Sequence, residues 1–179
     1  LSEGDINLIW FTGSTRTGQR IYREIAKKDQ FVRLIMELGG SAPGIVFEDA
    51  DLDLVAKSVC EFRLSNCGQY CDGLKRLIVH EKIFDAMGEK VAASFAVRKI
   101  GVAEEEATQL GPLAAKRQLD LVVDQVVDAR SKGAITVVGG YSLEPELKGA
   151  FFKPTLLTNV AAYMKVWNNG EPFQQFLIN

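Results

Sequence analysis

Histidine is almost missing: His80 is the only one in 179 residues. That excludes histidine-rich metal centres and leaves little support for a Cys–His nucleophile of the protease type. Cysteine is scarce too. Three thiols, an odd number in a chain large enough to bury its own core, argue against a disulfide framework and for reduced cysteines. There is no excess of basic charge: 21 Lys and Arg stand against 23 Asp and Glu, for a formal net charge of -2. Nothing in that balance offers a surface for a phosphate backbone, so nucleic acid is not an expected partner. The sequence contains no run of eighteen apolar residues, and its opening "LSEGDINLIWF" lacks the basic flank and apolar core of a leader. No membrane association is expected, and a cytoplasmic location is the default.

What is there has the make-up of a globular α/β protein, 47% hydrophobic and 25% charged. "INLIWF" reads as a strand, "TGSTRTGQR" as a glycine turn and "IYREIAKK" as a helix. "FVRLIMEL" and "GIVFEDAD" read as further strands. The stretch "DLDLVAKSVCEFRLSN" repeats apolar residues at Leu52, Val55, Ala56, Val59, Cys60 and Phe62 or Arg63, a helical period with Asp51 as N-cap. "LKRLIVH" is a strand, "EKIFDAMGEKVAASFAVRK" a helix, and a long amphipathic helix enters after Pro112 and closes at Gly133. "AITVVGG" and "FFKPTLLTNV" are extended, and "WNNGEPFQQFLIN" shows no obvious helix or cap. Strands alternating with long helices predict crossover units and a mostly parallel sheet. The expected boundary is the glycine pair Gly39 and Gly40, and both ends look cut from something longer.

Three groups of residues could carry chemistry. Gly13 and Gly18 have phosphate-loop spacing, but Gln19 and Arg20 stand where that loop needs Lys and Ser or Thr, which argues against a nucleoside triphosphatase. A glycine turn opening a helix still suits a pyrophosphate, through free N–H groups and the helix dipole; a plain tight turn is the competing reading. Cys67 and Cys71 have zinc-like spacing, yet a second ligand pair is missing, Cys60 falls on an apolar helix face and His80 ends a strand, so no metal is expected. A nucleophilic thiolate is the remaining use. Cys71 sits in a turn beside glycines, where a thiol can be presented and N–H groups can face a reacting oxygen. Glu37 ends an apolar strand, where a carboxylate is expensive to bury unless it is used or paired; a strand-end salt bridge is the bland alternative.

"FTGSTRTGQR", "ELGGSAPGIVFEDADLD", "NCGQYC" and "GPL", followed by "FFKPTLLTNV", "MKVWN" and "EPF", resemble the aldehyde dehydrogenase superfamily from about Ile6 to Phe173. The resemblance implies a partial aldehyde dehydrogenase fold: residues 1–39 as the end of the dinucleotide-binding domain and 40–179 as a truncated catalytic domain carrying the thiol. It implies oxidation of a small aldehyde to a carboxylic acid with NAD or NADP. Cys71 would attack the carbonyl and hold the resulting thioester, and Glu37 would activate the hydrolytic water. Thr12, Gly13 and Ser14 would approach the nicotinamide and pyrophosphate, Leu38 would hold the carboxamide, and Glu171 and Phe173 would lie near the nicotinamide ribose. Gly68 and Gln69 fit as turn-makers. Gln174 and Gln175 depart from the family's Gly-Pro after "EPF". As an isolated chain, catalysis is expected to be impaired, since the residues that bury the adenosine have no counterpart here. The alternative is a non-catalytic remnant that folds and self-associates through exposed sheet edges.

Overall fold

A computed structural model of the chain describes residues 5–168 and, as backbone alone, 175–178. The chain divides into two compact units, Leu1–Gly40 and Ser41–Asn179. In the first, strand β1 (Leu8–Thr12), helix α1 (Thr15–Ile25) and strand β2 (Arg33–Glu37) form one crossover. The strands pair in parallel from Leu8 opposite Arg33 to Thr12 opposite Glu37. Helix α1 starts well before the apolar stretch that suggested it. Ser14 accounts for the difference, because its Oγ accepts the N–H of Thr17 at 3.2 Å and caps the first turn. Only Gly18 and Ile25 of this helix are buried. A Cβ at position 18 would lie 2.8 Å from Leu38 Cδ2, so the glycine lets Leu38 rest on the helix.

The second unit runs β3 (Ala42–Val46), α2 (Leu52–Leu64), a 3-10 turn (Ser65–Gly68), β4 (Leu74–Val79), α3 (Phe84–Ala96), α4 (Lys116–Ser131), β5 (Ile135–Val138), β6 (Thr155–Thr158), α5 (Lys165–Asn168) and β7 (Gln175–Ile178). Its five-stranded sheet has the order β3-β4-β7-β6-β5. Every pairing is parallel except that of β5 with β6. The α/β class and the mostly parallel sheet agree with the sequence pattern. Asp51 caps α2 as its position suggests, Oδ1 accepting the N–H groups of Asp53 and Leu54 at 3.0 and 3.1 Å. Gly133, at φ +100, closes α4. The core joins α2, α3 and α4 to the sheet through Val59, Met87, Val91, Phe95, Val122 and Leu156, all almost fully buried.

Besides the early start of α1 and the short helix α5, which no sequence pattern suggests, two elements differ from expectation. Helix α4 begins at Lys116, because the residues after Pro112 are bonded elsewhere: the N–H of Leu113 reaches Ala150 O at 2.8 Å and that of Ala114 reaches Gln69 Oε1 at 2.8 Å. Strand β7, in a stretch with no predicted element, lies between β4 and β6 near the middle of the sheet. Four residues are too few to show a period, and only the two waiting neighbours define them as a strand.

Candidate active site

Five of the residues singled out in the first unit gather at the carboxyl ends of its two parallel strands. Thr12 ends β1, Glu37 ends β2, and the N–H of Gly13 donates to the carbonyl of Glu37 at 3.0 Å. Ser14 caps α1, and Leu38 packs on the same helix at Gly18. No acidic residue stands in the first turn of α1, so no carboxylate of that turn offsets the positive end of the helix. Open parallel sheets take their ligands at the carboxyl ends of their strands, and free N–H groups at a helix start have the chemistry that suits a pyrophosphate. Glu37 itself is exposed, and its carboxylate makes no ion pair among the described residues. An exposed carboxylate incurs no burial penalty, and no strand-end salt bridge forms among the described residues.

In the second unit Cys71 is exposed while Cys60 and Cys67 are buried. Cys60 belongs to the core, as its place on the helix suggests: its Sγ accepts from Arg98 Nε and Nη2 at 3.2 and 2.9 Å and faces Ser94 O at 3.6 Å. Cys67 Sγ faces the carbonyl of Gly111 at 3.3 Å. Cys71 stands between that buried neighbour and β4, on a turn whose preceding residues are unusual. Asn66, Cys67 and Gly68 have φ of 47, 59 and 75, three successive residues in the left-handed region. For the two that carry a Cβ this costs on the order of 1–2 kcal/mol each, and such strain persists only where the surroundings enforce it. Gln69 supplies part of the enforcement: Nε2 donates to Asn66 O at 3.0 Å while Oε1 accepts from Ala114 at 2.8 Å. The turn-maker expected at that position thus also ties the cysteine loop to the segment "GPLA".

Arg63 and Lys75 were not singled out from the sequence as site residues, although both lie next to this loop and both are 1% exposed. The helical period did offer Arg63 as an alternative to Phe62 on the apolar face. The structure buries Arg63 and leaves Phe62 exposed. Burial lowers the Arg63 guanidinium to about 10, and burial, with the Arg76 and Arg63 cations adding to it, lowers Lys75 to about 7. Among the described residues no group of three metal-ligating side chains is found. Glu171 and Phe173 lie outside the described residues.

These features belong to a known class. The profile of the aldehyde dehydrogenase family matches residues 1–173. Glutarate-semialdehyde dehydrogenase of Pseudomonas putida is 43% identical over 150 residues, covering 84% of this chain and 30% of that protein. The NADP(+) succinate-semialdehyde dehydrogenase of Escherichia coli is 38% identical over 156 residues, covering 87% of this chain and 32% of its own. Betaine aldehyde dehydrogenase of Staphylococcus aureus, solved in complex with NAD+, superposes with a TM-score of 0.90 at 27% identity, over 97% of this chain and 34% of that one. The chain therefore belongs to the aldehyde dehydrogenase family, and it spans about a third of the length of the curated relatives it matches.

Proposed function

We propose that this chain carries the thiol and the general base of an NAD(P)-dependent aldehyde oxidation. The observation that supports this most is the exposed Cys71 just after a strained left-handed turn, in contrast to Cys60 and Cys67, which are buried. The thiolate of Cys71 adds to the aldehyde carbonyl, and the N–H of Cys71 faces the oxygen that becomes negative. Loss of hydride from the adduct leaves a thioester on Cys71. Glu37 takes a proton from water as that water attacks the thioester, releasing the carboxylic acid and the thiolate. Thr12, Gly13, Ser14 and Leu38 hold the dinucleotide at the carboxyl end of β1 and β2, with Glu171 and Phe173 as further contacts. When bound, the nicotinamide supplies the hydride acceptor. Residues 1–39 act as the end of the cofactor domain and 40–179 as the thiol domain. Two relatives bear semialdehyde names, so short-chain semialdehydes are the proposed substrate class.

The second reading is a chain that folds and self-associates through sheet edges without holding the cofactor productively. The exposed edge strand β3, with Ile45 uncovered, favours it. Incubation with NAD or NADP and a panel of small semialdehydes and hydroxyaldehydes separates the two. Reduced nicotinamide that forms with the native chain and is lost in Cys71→Ser supports oxidation. No turnover with any aldehyde, together with an associated species on sedimentation, supports the second reading.

A further inference from the structure

Helix α2 ends by turning a cation inward. Phe62 is 68% exposed while Arg63, the next residue, is 1% exposed. An arginine in the last turn of a helix is ordinarily satisfied in water next to the helix's negative end, so its burial runs against local preference, and such conflicts concentrate at functional sites. The buried guanidinium is bonded to two main-chain oxygens. Nη2 donates to Gly68 O at 2.7 Å and Nη1 to Leu74 O at 3.1 Å. Those carbonyls stand immediately before and after residues 69–73, the turn that carries Cys71. The fit is close: a Cβ at Gly68 would lie 1.8 Å from Nη2, so position 68 needs glycine both for its φ of +75 and for the space that the guanidinium takes. A planar fork with fixed donor directions suits two carbonyls at the ends of one loop, and a single ammonium does not.

We propose that Arg63 is a positioning residue for Cys71, its guanidinium clamping both ends of the 69–73 turn and so fixing the direction of the thiol and of the Cys71 N–H. The left-handed backbone of Asn66, Cys67 and Gly68 is then held by two devices, Gln69 from the side and Arg63 from beneath. The importance of the clamp for catalysis rests on Cys71 being the nucleophile. The clamp itself is independent of turnover, and its test uses none.

The experiment compares the native chain with Arg63→Ala, Arg63→Lys and Gly68→Ala. Two quantities are read: amide hydrogen exchange over residues 66–74, and the rate of iodoacetamide alkylation at Cys71 relative to a cysteine in an unstructured peptide. In Arg63→Ala, exchange at Gln69 and Gly73 should rise by at least roughly tenfold, the factor set by one charged hydrogen bond of ordinary strength. Exchange in α3 and β6 should stay unchanged, and Cys71 alkylation should move to the unstructured value. Methylguanidinium added to Arg63→Ala should restore protection where urea, neutral and of similar shape, does not. Arg63→Lys should recover only part of it. Unchanged exchange and alkylation in a folded Arg63→Ala would overturn the proposal, as would equal rescue by urea. Should Arg63→Ala fail to fold, Gly68→Ala decides, because its added Cβ displaces the guanidinium: intact protection of the turn there would also overturn the clamp.

Discussion

Replacing Lys75 by Met should change how stability depends on pH. Lys75 lies on β4 with 1% of its surface exposed, and burial, followed by the nearby Arg76 and Arg63 cations, lowers it from 10.5 to about 7. In the unfolded chain the ammonium holds its proton up to about pH 10.5, whereas in the folded chain it releases it above about pH 7. Between those values the unfolded state binds more protons, so folding becomes more favourable as pH rises. The destabilisation is fully present below pH 7 and is relieved on the way to pH 10.5. At 1.36 kcal/mol per unit, the gain between pH 7 and pH 9 is about 2 kcal/mol. Methionine has nearly the same length and no charge, so Lys75→Met should lack this gain. Urea unfolding followed by Trp167 fluorescence, in a Trp10→Phe background, reports the second unit alone, because the two tryptophans lie in different units. The difference in stability between the native side chain and Met, taken at both pH values, cancels every other titration. A difference that moves by less than about 0.5 kcal/mol would refute the reasoning.

Three further outcomes can be checked. Gly139→Ala should cost roughly 2–4 kcal/mol in urea midpoint experiments, because φ there is +72 and a Cβ would lie 2.0 Å from Pro154 O, a backbone atom that cannot swing aside. Amides of β1, α1 and β2 should exchange much faster than those of Val91 and Leu156, since α1 buries only Gly18 and Ile25. In the native state iodoacetamide should label Cys71 at least roughly tenfold faster than Cys60 or Cys67, which are 1% and 6% exposed; peptide mapping at short times measures the order, and equal labelling would place Cys71 in a collapsed site.

Much of this chain could be read locally. Asp51 before a helical period, Gly133 after one and a glycine turn between β1 and α1 each act within a few residues, and each appears where its local chemistry puts it. The order of short motifs carried the family resemblance, because a tight turn needs particular residue types at fixed spacing. Strand β7 could not be read this way. Its four residues pair with β4 and β6, from distant parts of the chain, and a strand in mid-sheet is defined by those partners more than by its own pattern. The exposure of Glu37 was not legible for a related reason: an apolar strand predicts burial of its sides and is silent about its last residue, which projects at the carboxyl edge.

Periodicity, capping and motif order over short spans were enough to define four of the helices apart from the starts of α1 and α4, most of the strands, the α/β class and the thiol that stands exposed. Three outcomes waited on the folded chain: which of Phe62 and Arg63 turns inward, what lies beneath the Cys71 turn and which strand occupies the middle of the sheet. Each depends on atoms brought together from distant residues. A guanidinium finds two carbonyls and a short segment finds two strand edges, and neither partner is written in the local pattern.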